Sequence, residues 1–197
     1  MAAMARALTR AGYVVHRVWY PSRSESLDRL AEGWVGPVVR ACSSGSGRRI
    51  HFVTHSLGGI VLRQYLAAHE VPNLGRVVML APPNRGSELA DRLSRGRLFR
   101  AVLGPSLDEL RTTPDSAVNR LGPACFPVGV IAGDRTVNPL FTALLPGPDD
   151  GKVPVARTVL DGMADHRVVH ASHTWIMSRR EVIRLTERFL RSGRFEG

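Results

Sequence analysis

Ile50-His51-Phe52-Val53-Thr54-His55-Ser56-Leu57-Gly58-Gly59 is the stretch on which the reading of this chain turns. A short apolar strand ends in a serine, and a helix starts directly after it, with Ile60, Val61, Leu62, Tyr65 and Leu66 mostly on its buried side. A strand that turns into a helix across one residue strains that residue's backbone, so small residues must flank it. Gly58 and Gly59 let the helix pass close to the strand. The helix start points its free N–H groups and the positive end of its dipole at Ser56. The Leu57 N–H is then placed to hold a developing oxyanion, and one such donor is worth roughly 3 kcal/mol of barrier.

Outward from this corner the chain alternates strands and helices. Residues 2–11 predict a short helix that stops at Gly12, a residue suited to the left-handed conformation past a helix end. Tyr13 to Tyr20 is β-rich and largely apolar, and Pro21 ends it. Ser26 to Cys42 has helical spacing at Leu27, Leu30, Trp34 and Val38, with a kink expected near Pro37. Ser43 to Gly47 reads as a loop; the Lys-Ser/Thr that would make it a phosphate cradle is replaced by Arg48-Arg49.

Further strands are predicted at Arg76–Ala81, Phe126–Ala132 and Arg167–Val169, and a closing helix at Ser178–Arg191, opened by Ser178 and Glu181 in capping-box spacing. Strands apolar on both faces, alternating with helices, imply an α/β fold: a mostly parallel sheet with helices on both faces, in one domain spanning 1–197. Residues 93–122 lack a clear strand and are read as a cap segment.

Composition bounds the partners. The formal charge is +10, from 27 Lys plus Arg against 17 Asp plus Glu, and Lys152 is the only lysine. The arginines are scattered singly, without the dense basic block or aromatic-interleaved stripe that nucleic acid would call for, so no nucleic-acid partner is expected. Attraction of this basic surface to a membrane is a weaker reading of the same charge. Cys42 and Cys125 form no C-x-x-C pair and are read as two buried thiols; no His pair sits at metal spacing with a carboxylate, so neither a metal nor another cofactor is expected. No apolar run approaches the ~20 residues that cross a bilayer, and Arg6, Arg10, His16 and Arg17 interrupt the N-terminal segment, so a cytoplasmic protein is expected.

A serine at such a corner needs a base, and the base needs an orienting acid. Four stretches follow one another along the chain: His55-Ser56-Leu57-Gly58-Gly59, Pro83-Asn84-Arg85-Gly86-Ser87, Asp150-Gly151-Lys152-Val153 and Ser172-His173-Thr174. Together they resemble the α/β-hydrolases of bacterial lipase and esterase type, from about residue 4 to the C-terminus. One departure is Thr54, which stands where the G-x-S-x-G elbow has its first glycine. The resemblance implies Ser56 as nucleophile, His173 as base, Asp150 as acid and Leu57 as oxyanion donor. Asp134 is a rival acid and His170 a rival base. His55 is read as packing or hydrogen-bonding locally, and Ser87 as the cap of the helix that follows it.

In the resembled family a strand and a His-Gly loop precede the helix matched by residues 2–11, and neither is found here. The chain is therefore expected to be an N-terminally shortened version of the fold, with Leu57 its only legible oxyanion donor. Three readings of function follow: a serine ester hydrolase acting on a small-molecule or lipid ester, a thioesterase or amidase on the same residues, and a non-catalytic remnant of the fold. Acyl chain length, leaving group and oligomeric state have no signature in the sequence.

Overall fold

The computed structural model describes residues 1–22, 24–43, 47–93, 109–136 and 145–196. Four parallel strands form one sheet in the order β1 (Ile50–His55), β2 (Leu74–Leu80), β3 (Val128–Gly133) and β4 (Asp165–Val169). The register runs Phe52↔Val77 and His55↔Leu80 between the first pair, Val77↔Val128 between the second, and Gly129↔Asp165 between the third.

The two faces follow from the alternation along β2. Val78 and Leu80 pack with Ile131 and Val169 against α1 (Ala2–Arg10) and the C-terminal helix α8 (Arg180–Ser192), through Met4, Leu8, Val182 and Phe189. Val77 and Met79 point the other way, with Val128, Val130 and Leu160, onto Leu62 of α4 (Leu57–Ala68). Ile60, Val61 and Tyr65 of α4 then meet α2 (Leu27–Leu30) and α3 (Gly36–Ser43). β2 and β3 are thus apolar on both sides because both sides are covered. Short helices α5 (Glu88–Leu93), α6 (Ala117–Arg120) and α7 (Val155–Thr158) complete the described chain.

The helical run predicted for Ser26–Cys42 is present, and its irregularity has a definite form. A π-helical turn, Ala31–Val35, joins α2 to α3 just ahead of Pro37. Proline cannot donate to the preceding turn, and a widened turn absorbs that loss.

Several expectations are corrected. Tyr13 to Tyr20 forms no strand. β-propensity alone does not make a strand without a ladder partner. Among the described residues β1 pairs only with β2, and Val14 and Trp19 of the segment are each 71% exposed. The closing helix has no capping box: its N-cap is Arg179, and the Ser178 hydroxyl donates to the Trp175 carbonyl at 2.8 Å inside a 3-10 turn, Ile176–Ser178. Both cysteines are free, but Cys42 is only half-buried and Cys125 is exposed. Of the cap segment, residues 94–108 lie outside the described residues. No helix among the described residues is long and apolar enough to cross a membrane.

Candidate active site

Because all four strands run the same way, the chain leaves each of them at one common edge of the sheet, where ligands of open α/β sheets bind. Ser56 stands at the end of β1 with φ 53° and ψ −128°, a region costly for a residue with a side chain, and α4 starts at the next residue. The two glycines make room there. A Cβ on Gly58 would lie 3.1 Å from the Tyr20 hydroxyl and 3.7 Å from Thr54 Cβ, and one on Gly59 would lie 3.2 Å from Pro82 Cβ. Thr54, in place of the usual first glycine, fits beside these two. Its buried Oγ1 has no hydrogen-bond partner among the described residues. The Leu57 N–H is among the first four of α4, which lack an intrahelical acceptor.

His173 lies in the loop after β4 and is 4% exposed. Its Nε2 is 2.9 Å from Ser56 Oγ, and its Nδ1 is 2.7 Å from Asp150 Oδ2. With the carboxylate accepting from Nδ1–H, Nε2 is left as the acceptor for the serine hydroxyl. Asp150, 1% exposed, is held rigidly. Its Oδ1 accepts from the N–H groups of Lys152 at 3.0 Å and Val153 at 2.8 Å, and its carbonyl accepts from the His173 N–H at 2.8 Å. The bend after β3 also depends on Gly133, where a Cβ would collide with the Ala171 carbonyl and crowd Asp150 Cβ at 3.0 Å.

The rival pair is brought together elsewhere. Asp134 Oδ1 and His170 Nδ1 lie within hydrogen-bond distance, 3.0 Å apart, and the histidine side chain is 72% exposed. Among the described residues the side-chain hydrogen bond of Ser56 Oγ goes to His173 and not to this pair. Ser87 sits immediately before α5, and its hydroxyl donates to the Lys152 carbonyl at 3.4 Å, tying that loop to the one carrying Asp150. The same loop is anchored by Arg63 of α4, a buried cation whose guanidinium reaches four oxygens: the Asn84 carbonyl at 3.0 Å, Asn84 Oδ1 at 3.3 Å, the Val118 carbonyl at 3.4 Å and the Gly122 carbonyl at 2.8 Å. Burial pushes its pKa down to about 10.

One contact at the candidate site was not foreseen. His55 packs, its ring 4.8 Å from that of His173, but its hydrogen bond is not local in the sequence: its Nε2 lies 2.9 Å from the His173 carbonyl. Burial, then the charge of neighbouring His173, pushes the His55 pKa down to about 4. The only signal in the sequence was its adjacency to Ser56.

No family model matches the chain, and no curated protein matches it by sequence. Solved structures match it by shape. Lipase BlEst2 of Bacillus licheniformis in mature form aligns with TM-score 0.68 at 19% identity, over 95% of this chain and 83% of that one. The metagenomic carboxyl esterase MGS0156 aligns with TM-score 0.69 at 22% identity, over 88% of this chain and 58% of that one. Phospholipase PlaB of Legionella pneumophila aligns with TM-score 0.62 at 22% identity, over 86% of this chain and 49% of that one. The chain thus spans about half the length of PlaB. The architecture is an α/β-hydrolase-like fold.

Proposed function

We propose that this chain is a serine hydrolase that cleaves carboxylic esters through an acyl-enzyme on Ser56. The observation that carries the reading is the unbroken hydrogen-bonded series Asp150–His173–Ser56, ending on a strained serine at a helix start. The resemblance to folds named lipase, phospholipase and carboxyl esterase supports an ester as the substrate class.

The chemistry follows from the donors and acceptors. Ser56 Oγ attacks the ester carbonyl carbon as its proton passes to His173 Nε2. Asp150 stabilises the imidazolium and keeps its Nδ1–H oriented. The carbonyl oxygen becomes an oxyanion facing the Leu57 N–H and the positive end of α4. When the tetrahedral species collapses, the bond to the alkoxy oxygen breaks and His173 returns the proton to the leaving alcohol. Water then repeats the sequence on the acyl-enzyme, releasing the acid and restoring Ser56.

The test is labelling of the folded 197-residue chain with a fluorophosphonate, beside hydrolysis of nitrophenyl esters of rising chain length and their thioester and amide analogues. Expected are one label on Ser56, its loss in Ser56→Ala, and turnover of esters ahead of amides. Folded protein that neither labels nor hydrolyses any ester would identify a non-catalytic remnant. Faster turnover of thioesters or amides would move the substrate class.

A further inference from the structure

We infer that His55 is a positioning residue for this hydrolysis: its Nε2–H holds the main chain of His173 so that the imidazole stays in line with Ser56. The inference rests on the proposed roles of Ser56 and His173.

Each polar atom of His173 has a partner. Its N–H donates to the Asp150 carbonyl at 2.8 Å, Nδ1 meets Asp150 Oδ2 at 2.7 Å, and Nε2 meets Ser56 Oγ at 2.9 Å. The carbonyl, the fourth, is taken by His55 Nε2 at 2.9 Å. Three of these contacts come from the proposed acid and nucleophile, and the fourth comes from the residue next to the nucleophile. The loop bearing His173 is otherwise tied to its own side of the sheet, by Arg135 N–H to the Ala171 carbonyl at 3.3 Å and by its own short turns. His55 is therefore a direct main-chain link between the strand that carries Ser56 and the loop that carries His173. Without it, Asp150 still orients the imidazole, but among the described hydrogen bonds only the reacting one to Ser56, which must break and reform in each turnover, ties His173 to the end of β1.

The chemistry of the link is defined. A carbonyl oxygen only accepts, so His55 Nε2 carries the hydrogen. The ring remains neutral at ordinary pH, so it adds no positive charge beside an imidazolium forming 4.8 Å away. A residue in this place must donate one N–H and carry no charge.

Two substitutions separate the hydrogen bond from the ring. His55→Phe keeps an aromatic ring and removes the donor. His55→Gln removes the ring and keeps a neutral N–H at about the reach of Nε2. The measurements are the second-order rate of fluorophosphonate labelling at Ser56 and the split between kcat and KM on a nitrophenyl ester, with circular dichroism and thermal melting as folding controls. Expected is a fall of roughly 10- to 100-fold in labelling rate and kcat for His55→Phe, with KM within about threefold, and recovery to within about threefold of the parent in His55→Gln. If His55→Phe does not fold, a folded His55→Gln at near-parental labelling rate still supports the inference. Folded His55→Gln slowed by about 10-fold or more, or folded His55→Phe at the parental rate, overturns it. A parent chain that does not label at all would instead strike the proposed function.

Discussion

Acidification should cost this protein stability through one identifiable side chain. His55 has an ordinary histidine pKa of 6.5 when unfolded and one near 4 when folded, because burial and neighbouring His173 disfavour its charged form. The groups facing it are His173, Asp150 and Lys152. Between pH 6.5 and 4 the unfolded chain therefore binds a proton that the folded chain refuses, so stability falls as pH falls through that window. The full depression is worth about 3 kcal/mol, and about 2.5 kcal/mol of it is lost by pH 4.5. Against the roughly 5–15 kcal/mol that holds a typical domain together, this is a large share. The assay is urea denaturation of the parent and His55→Gln at pH 7.5 and 4.5. His51 and His166 are also depressed by burial and weaken the fold in the same direction, but that loss is common to both proteins. The expected result is a drop between the two pH values that is smaller in His55→Gln by about 2 kcal/mol. Equal drops, within about 0.5 kcal/mol, would refute a neutral, desolvated His55.

Four further outcomes are expected. Asp150→Asn keeps an acceptor for the Lys152 and Val153 N–H groups but sets an amide against His173 Nδ1–H, so kcat should fall by roughly 10³–10⁴ with little change in melting temperature. Asp134→Ala and His170→Ala, which remove an exposed polar contact, should leave ester turnover within about twofold and stability within about 0.5 kcal/mol; a large fall in kcat for Asp134→Ala would transfer the acid's role to it. Gly133→Ala must push Ala171 or Asp150 aside, and kinetics with thermal melting should show both activity and stability reduced, the latter by about 1–3 kcal/mol. Arg63→Leu leaves the buried carbonyls of Asn84 and Val118, and the part-buried carbonyl of Gly122, without this donor and should lower urea stability by about 2–4 kcal/mol.

The parts of the fold legible in the sequence are those where one local rule decides the outcome. Val77 to Leu80 is apolar at every position because β2 is covered on both faces, and a continuous apolar run says so directly. The corner at Ser56 was legible because its glycines are demanded by close approach, whatever lies further away. Tyr13 to Tyr20 was misread because its composition reports a preference for pleated backbone, while a strand exists only when another strand offers the complementary ladder. Ser178 was misread for a related reason: a hydroxyl three residues before a glutamate can cap a helix or close the preceding turn, and here it closes the turn on Trp175.

The candidate site shows where such local reading stops. Ser56 and His173 are 117 positions apart and His173 and Asp150 are 23 apart, yet each pair meets within hydrogen-bond distance. Parallel strands explain why they meet at all: β1, β3 and β4 all end at the same edge, so the segments that follow them are neighbours irrespective of the chain between. The order of strands and loops therefore carries the main residues, and a reader of sequence can place them by order alone. It does not carry the bond from His55 to the His173 carbonyl, because that depends on how far the last loop leans back over β1. A histidine beside a serine has many bland uses, and only the 2.9 Å approach to a specific carbonyl selects among them. If that bond is what keeps the imidazole aligned, donor-preserving changes at position 55 should be tolerated and ring-preserving ones should not.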